Sequence, residues 1–234
     1  MTEKIVGILG GMGPEATADL FMRIIRATPA KRDQDHLRVI IYSNSKVPDR
    51  TPAILGNGPS PLPEMLSTGR ALEAAGADFI IIPCNTAHYY YDDLARELKL
   101  PIIHMIRLAA EETHKKSTDI TGAGLLATDG TVASRLYNDA FSEVGVEIMT
   151  PPPRRQADVM RAIYRHVKAG DLEGGGDILR GVGEELVEEG SEAIICGCTE
   201  VSLVLKQGDL EAPVIDPLQV LAEAAVDYAF GRRK

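Results

Sequence analysis

Two cysteines occupy matching positions in the sequence and could form a pair of chemical groups. Cys84 follows Gly76 by eight residues, and Cys198 follows Gly190 by eight residues. In both segments an acidic residue and an apolar run separate the glycine from the cysteine, which is typical of a turn and then a buried strand. A thiol at the end of such a strand lies where α/β proteins bind their ligands. Cys196 competes for the second position, but the matched spacing favours Cys198 and assigns Cys196 to the core.

The chemistry that two opposed thiols could perform is proton transfer at a carbon atom. A thiolate is a soft base whose pKa responds to its surroundings. When one group removes an α-proton from one face and another returns a proton to the opposite face, the configuration at carbon inverts. For one cysteine alone, a buried structural thiol would be the simpler interpretation. The second copy favours catalysis by Cys84 and Cys198 together.

The residues that follow each cysteine are suited to the same chemistry. Asn85 and Thr86 provide short polar groups where a helix begins, and the helix dipole there stabilises a thiolate. His88 either perturbs the first thiol or simply packs or caps the helix. Thr199 places a hydroxyl beside the second thiol. Glu200 could orient a partner, shuttle protons or merely begin a helix.

The elements that position these residues alternate between short β-branched runs and longer helix-patterned segments, which is typical of parallel βα units. Strands are predicted at Ile5–Leu9, Val39–Ser43, Phe79–Pro83, Ile102–Ile103, Ala123–Ala127, Val146–Thr150, Ala193–Cys196 and Val214–Ile215. Helices are predicted at Pro14–Ala27, Glu64–Ala75, Ala87–Leu98, Thr131–Val144, Gln156–Ala169, Ile178–Glu189 and Leu218–Phe230. Segments 44–63 and 150–154 are rich in proline or glycine and are predicted to be loops.

The similarity between the two halves extends beyond the cysteines. Gly7–Leu9 with the later Gly13 parallels Gly124–Leu126 with the later Gly130. The sequence therefore predicts an α/β fold with two similar domains, each a parallel sheet flanked by helices, related by a pseudo-twofold axis. In such a fold the active site would lie in the cleft between the domains, with one cysteine on each wall.

The composition limits the possible partners and locations. The 234 residues suit two small domains, and 44% apolar with 25% charged residues is ordinary for a globular protein. The net charge of −9 repels nucleic acid and anionic lipid headgroups, so we expect neither nucleic acid nor a membrane as a partner. With three cysteines and no recognisable secretory signal or membrane span, we expect a cytoplasmic protein with reduced thiols. The histidines show no metal-ligand spacing with the cysteines.

An acidic protein that binds an anionic molecule must concentrate positive charge locally. Arg50 lies in the first predicted loop and could hold a carboxylate with two N–H groups. Tyr164 and Lys168 share one face of a predicted helix, and Lys168 could supply a second positive charge. Plain solvation is the alternative for both basic side chains, and their expected position near the cleft favours binding.

The first glycine-rich loop has two interpretations. Gly11, Gly13 and Ala16 fit the dinucleotide-binding fingerprint, which would make the chain a nucleotide binder. A bound pyrophosphate would then meet the carboxylate of Glu15, and no acidic residue ends the second strand. The glycines are better explained by a backbone that approaches a small ligand closely.

Taken together, five segments resemble the cofactor-independent aspartate racemases, which belong to the wider aspartate, glutamate and hydantoin racemase superfamily. The segments are Ile8–Thr17, Pro48–Thr51, Pro83–His88, Val167–Gly170 and Gly197–Glu200. The resemblance covers nearly the whole chain. It implies interconversion of L- and D-aspartate by two cysteines acting as proton donor and acceptor, without pyridoxal phosphate or a metal. It also implies a homodimer and a small amino acid as the substrate.

The resemblance assigns roles to individual residues. Cys84 and Cys198 take the two-base role, and Arg50 and Lys168 match the groups that bind the side-chain carboxylate of the substrate. The positions that match the surroundings of the amino-acid head group are Met12, Asn85, Thr86 and Thr199. The full set of candidate substrate-binding residues is Met12, Arg50, Asn85, Thr86, Ala87, Tyr164, Lys168, Thr199 and Glu200.

The resemblance also implies a domain division and leaves alternatives open. The last segment of the family fold crosses back to the first domain, so residues 1–104 with 213–234 would form one domain and residues 105–212 the other. Glutamate racemases carry an acidic first loop and a histidine at the position of Glu200, so aspartate is favoured here. Racemisation of glutamate or of a broader range of amino acids, a superfamily lyase or isomerase, and a non-catalytic small-ligand binding protein are the alternatives.

Overall fold

A computed structural model describes residues 3–117 and 119–232 of the chain. The chain divides into two compact units. The first contains the residues up to Met105 and those from Leu218 onward, and the second contains Ile106–Pro217. Each unit is built on one parallel sheet with helices around it. The predicted α/β fold with two parallel sheets flanked by helices is confirmed.

The strands and helices have the following bounds. The strands are β1 Val6–Gly10, β2 Val39–Ser43, β3 Phe79–Ile81, β4 Gly122–Leu126, β5 Glu147–Met149, β6 Ala193–Cys196 and β7 Val214–Ile215. The α-helices are α1 Pro14–Ala27, α2 Arg50–Ile54, α3 Leu62–Ala74, α4 Tyr91–Glu97, α5 Met105–Lys116, α6 Asp129–Ser134, α7 Leu136–Ser142, α8 Pro153–Arg161, α9 Leu172–Glu188, α10 Thr199–Val204 and α11 Pro217–Ala229. Within the described residues, no helix is both long and apolar enough to cross a bilayer.

The sheet of the first unit has the order β2-β1-β3, with all strands parallel. The central strand β1 is buried along its whole length, as its apolar sequence predicts. Ile102 forms a further parallel bridge to Ile80. The last helix, α11, packs in this unit, because Tyr228 lies edge-on to Phe79 with ring centroids 4.7 Å apart.

The sheet of the second unit has the order β5-β4-β6-β7, again parallel throughout. Its last strand pairs with β6 through Ile194 to Val214 and Ile195 to Ile215. The chain therefore leaves the second unit after this strand, at Pro217, whereas the expected boundary lay before it, between 212 and 213. The expected ends 1–2 and 233–234 lie outside the described residues.

Several elements differ from the sequence prediction for local reasons. The helix α2 lies inside the predicted loop 44–63, where the Asp49 carboxylate caps it by accepting the N–H of Thr51 at 3.0 Å. The predicted helix 131–144 is two helices, because Arg135 has a φ of 56° and ends α6. The predicted helix 156–169 ends as a π-helical turn at Ala162–His166 and a 3₁₀ turn at Val167–Ala169. The helix α5 was not predicted.

Candidate active site

In the first unit, the chain brings a buried thiol to the carboxyl end of β3. The strand is completely buried, and Cys84 follows it after two residues with only 4% of its surface exposed. A 3₁₀ turn at Thr86–Tyr90 begins immediately afterwards. The candidates Asn85, Thr86 and Ala87 are all buried at this turn. The short polar residues predicted to accompany the first cysteine are therefore buried, as the cysteine itself is.

His88 fixes the backbone of Cys84, and both of its ring nitrogens are engaged with backbone groups. Its Nδ1 lies 2.9 Å from the Cys84 carbonyl oxygen, and its Nε2 accepts the backbone N–H of Met105 at 3.1 Å. Because Nε2 accepts, Nδ1 must carry the proton and donate to the carbonyl. Burial lowers the pKa of His88 to about 4, although its hydrogen bonds to backbone groups oppose this effect. The imidazole is therefore neutral near pH 7, and the packing interpretation of His88 is the one the structure supports.

The first loop and the start of α2 are joined by Arg50. Its guanidinium donates from Nη2 to the Met12 carbonyl at 3.2 Å and from Nη1 to the Pro48 carbonyl at 3.1 Å. Arg50 and Met12 are both buried, so the alternative of an exposed, solvated arginine does not apply. The planar guanidinium is held in one orientation by two carbonyls, which is the preorganisation that carboxylate binding requires.

The close approach of two backbone segments shapes the same loop. Gly11 has a φ of +95°, and a Cβ at this position would lie 2.3 Å from the carbonyl carbon of Asn44. The hydroxyl of Thr17 accepts the Gly11 N–H at 2.9 Å and donates to the Gly13 carbonyl at 2.9 Å. The loop is therefore folded against the end of β2 and against its own helix.

Tyr90 is a residue that sequence reasoning did not select. It is buried, while its neighbour Tyr89 is exposed. Burial raises the pKa of Tyr90, Tyr89 adds to that effect, and the positive charge of Arg50 opposes it. A neutral phenol therefore lies within electrostatic reach of Arg50. The sequence signal was obscured because Tyr90 stands in a run of three tyrosines that resembles a helix surface.

In the second unit, a second buried thiol follows β6. Cys196 is the fully buried last residue of the strand, and Cys198 is the N-cap of α10 with 6% of its surface exposed. Between them, a Cβ at Gly197 would lie 2.4 Å from Cδ1 of Leu125. Only glycine therefore fits between the two cysteines without displacing the core side chain.

The Cys198 thiol lies in direct contact with an acid. Its Sγ–H donates to Oε2 of Glu200 at 2.9 Å, and the Thr199 hydroxyl donates to the same oxygen at 3.3 Å. Nζ of Lys168 lies 3.6 Å from the other oxygen, Oε1. Burial raises the pKa of the Cys198 thiol well above its usual range, and the charge and hydrogen bond of Glu200 raise it further, while Lys168 opposes this effect. Cys198 is consequently a thiol rather than a thiolate near pH 7.

The turn that carries Lys168 is itself closed by polar contacts. Nζ of Lys168 lies 4.7 Å from the ring centroid of Tyr164, a cation–π distance. The contact forms although a π-helical turn replaces the regular helix that the prediction assumed. His166 Nδ1 lies 2.6 Å from Asp171 Oδ2, and Gly170 completes the turn with a φ of +91°.

The predicted site residues thus fall into two groups, one in each unit. The first unit holds Met12, Arg50, Cys84, Asn85, Thr86 and Ala87. The second unit holds Tyr164, Lys168, Cys198, Thr199 and Glu200. In the part of the chain that the structure describes, no group of three or more His, Cys, Asp or Glu side chains is arranged to hold a metal ion.

Comparison with known proteins finds relatives over almost the full length. The family model described as Asp/Glu/Hydantoin racemase matches residues 9–225. The structure of an aspartate racemase from Picrophilus torridus superposes with a TM-score of 0.87 at 31% identity, covering 97% of this chain and 94% of that one. The structure of an aspartate racemase homologue from Pyrococcus horikoshii OT3 superposes with a TM-score of 0.79 at 29% identity, covering 98% and 100%. A broad specificity amino-acid racemase from Bacillus subtilis (strain 168) is 29% identical over 231 residues, which are 95% of this chain and 96% of the relative.

Proposed function

Because the chain belongs to the Asp/Glu/hydantoin racemase family, we propose that it is a cofactor-independent racemase that interconverts L- and D-aspartate. The activity of the family is the racemisation of amino acids. The choice of aspartate, the use of two cysteines and the independence from pyridoxal phosphate are the parts that we propose.

One observation carries the proposal: each unit places a buried thiol just beyond a buried parallel strand and ahead of a helical turn. Cys84 follows β3 in this way, and Cys198 follows β6. In the proposed reaction one cysteine, as thiolate, takes the α-proton and leaves a carbanion. The other cysteine, as thiol, gives its proton to the opposite face. One proton is removed and one is returned, so no further reactant is needed.

The cationic groups support an acidic substrate. Arg50 presents a fixed guanidinium in the first unit, and Lys168 presents an ammonium in the second. An ammonium has three donor hydrogens, so contact with Glu200 is compatible with contact to a substrate carboxylate. We assign the two cations to carboxylate recognition. Of the seven other candidates, Glu200 contacts the Cys198 sulfur, and the other six are assigned to contacts with the amino-acid head group. These six are Met12, Asn85, Thr86, Ala87, Tyr164 and Thr199.

A wider substrate range is the second candidate function. It is supported by the similarity to the Bacillus subtilis protein, whose name describes broad specificity. We further propose a homodimer, which rests on the resemblance seen in the sequence, and a cytoplasmic location, which rests on the low cysteine content. Sedimentation analysis of the purified protein tests the dimer, and a single species of monomer mass would exclude it.

The proposal is tested by a racemisation assay on a panel of amino acids with purified protein and no added cofactor. Conversion should be fastest with aspartate, should abolish optical rotation at equilibrium, and should disappear in Cys84→Ala and in Cys198→Ala. Cys196→Ala is the matched control, because Cys196 precedes Cys198 by two residues but is fully buried in its strand. Full activity in either of the first two variants would overturn the two-cysteine mechanism. Faster conversion of a neutral amino acid would replace the aspartate assignment with the wider range.

A further inference from the structure

Glu200 is a buried acid whose two carboxyl oxygens lie against different partners. Only 6% of the residue is exposed, so its polar atoms depend on partners within the protein. Oε2 accepts from the Cys198 thiol and the Thr199 hydroxyl, and Oε1 lies near the ammonium of Lys168. If Cys198 lost its proton, the sulfur could no longer donate to Oε2, and its negative charge would lie at hydrogen-bond distance from a carboxyl oxygen in a buried site. That state is unfavourable.

The surroundings of the first cysteine are different. The four residues after Cys84 are Asn85, Thr86, Ala87 and His88, and none of them is an acid. His88 is neutral near pH 7 and bonds to a backbone carbonyl rather than to the sulfur. The residue two positions after Cys84 is Thr86, whereas the residue two positions after Cys198 is Glu200. The two thiols differ in their electrostatic environment.

We propose, building on the racemase function above, that Glu200 is a catalytic residue that keeps Cys198 protonated in the substrate-free enzyme. Glu200 thus acts on the sulfur rather than on the substrate, whereas the sequence analysis placed it among the candidate substrate-binding residues. Cys198 enters the first turnover as the proton donor, and Cys84 enters as the proton acceptor. In that turnover the α-proton passes to the Cys84 sulfur, and the Cys198 proton passes to the carbanion.

Lys168 opposes the effect of Glu200 on the thiol. Its ammonium lies 3.6 Å from Oε1, and its positive charge partly offsets that of the carboxylate. The other titratable groups near Cys198 are Tyr137 on α7 and Cys196 on β6. Burial raises the pKa of Tyr137 well above its usual range, so this side chain is neutral. Asp216, after β7, accepts from the hydroxyl of Ser202 at 2.8 Å.

Alkylation of Cys198 in the absence of substrate measures its protonation directly. In a Cys84→Ala background, the rate of iodoacetamide modification of Cys198 is followed against pH by mass spectrometry of the peptide that carries it. Because thiolate is the reactive form, the midpoint should lie above the usual thiol value of about 8.5. Adding Glu200→Gln should move the midpoint down by one unit or more, which is roughly a tenfold faster modification at pH 8. Adding Lys168→Met should move it up.

The opposite directions of the two shifts distinguish an electrostatic role from a structural one. Loosening of the site would expose the sulfur and speed modification in both variants, and that result would overturn the proposal. An unchanged midpoint in Glu200→Gln would also overturn it. If Glu200→Gln fails to fold, the upward shift in Lys168→Met carries the test, and its absence counts against the proposal. Because no substrate is present, these results are independent of whether the protein racemises aspartate.

Discussion

The Cys198 thiol donates a hydrogen bond to Oε2 of Glu200 at 2.9 Å, and the two residues are two positions apart in the chain. The contact forms because Cys198 is an N-cap with extended backbone, φ −139° and ψ 142°, and Glu200 lies in the first turn of α10. A side chain in that turn can fold back toward the N-cap, as acids do in capping interactions. The acid that controls this thiol is therefore built into the same helix start that presents it.

Replacing Lys168 should weaken recognition of a dicarboxylate substrate. Lys168→Met removes the ammonium, and a hydrogen bond to a charged group contributes about 1.5–3 kcal/mol, so the KM for aspartate should rise by about 10-fold or more. Lys168→Arg keeps the charge and should restore part of the loss. The matched control is Lys115→Met, because Lys115 is an exposed lysine paired with Glu112 on α5. The measurement is steady-state kinetics with L-aspartate and with D-aspartate as the substrate. Unchanged kinetics in Lys168→Met would refute the role of Lys168 in binding.

The loop that carries Met12 should tolerate no side chain at Gly11. Gly11→Ala would place a Cβ 2.3 Å from the backbone of Asn44 and would force alanine into a φ of +95°. Gly76→Ala is the matched control, because Gly76 has a φ of +90° but no atom within 4 Å of its Cβ position. We expect the control to lose about 1–2 kcal/mol of unfolding free energy from the strained φ alone. Gly11→Ala should lose about 1–3 kcal/mol more through overpacking, together with most of its activity. Urea denaturation followed by circular dichroism compares the two, and equal losses would mean that the backbone contact is not tight.

The neutral state of His88 should make the stability of the protein fall in mild acid. The folded pKa is about 4, and the unfolded value is about 6.5. Below pH 6.5 the unfolded chain therefore gains a proton that the folded chain does not bind. The contribution of His88 to the unfolding free energy is full above pH 6.5 and declines by about 3 kcal/mol between pH 6.5 and pH 4.

The variant His88→Asn tests this assignment. Its unfolding free energy should be lower than that of the parent at pH 7.5, and the difference should shrink at pH 5. The control His114→Asn replaces an exposed histidine on α5. It should leave the unfolding free energy unchanged at both pH 7.5 and pH 5. If the unfolding free energies of the parent and of His88→Asn fall by the same amount between pH 7.5 and pH 5, His88 is not a buried, neutral imidazole.

Local patterns in the sequence were sufficient to place the two cysteines. The apolar runs before Cys84 and Cys198 predict buried strands, since such runs are short, continuous and bounded by turns. The helix α1 was predicted with its observed bounds because its apolar spacing and Pro14 are both local signals. Parallel pairing follows from the alternation of strands and helices.

Elements without local periodicity could not be predicted in the same way. The helix α2 is five residues long and contains Pro52, so its sequence shows no helical repeat. In α5 the apolar residues lie in the first half, and Glu111–Lys116 is polar. The π-helical turn before Lys168 results from packing that a single-sequence pattern does not encode.

The electrostatic partners were also beyond the reach of sequence patterns. Lys168 and Glu200 are 32 residues apart and meet only in the folded second unit. The burial of Arg50 and its bonds to the Met12 and Pro48 carbonyls likewise depend on tertiary packing. The sequence indicated that cationic and acidic residues lie near the site. Only the folded structure shows that Glu200 is the one that contacts the Cys198 sulfur.

We propose that this chain exchanges the α-proton of aspartate and inverts its configuration without a cofactor. The most direct test is incubation of the purified protein with L-aspartate in D₂O, with α-deuteration followed by mass spectrometry and chirality by chiral chromatography. We expect D-aspartate that carries α-deuterium, together with loss of both signals in Cys84→Ala and Cys198→Ala. Aspartate that stays fully L and undeuterated, under conditions in which the protein is folded, would contradict it.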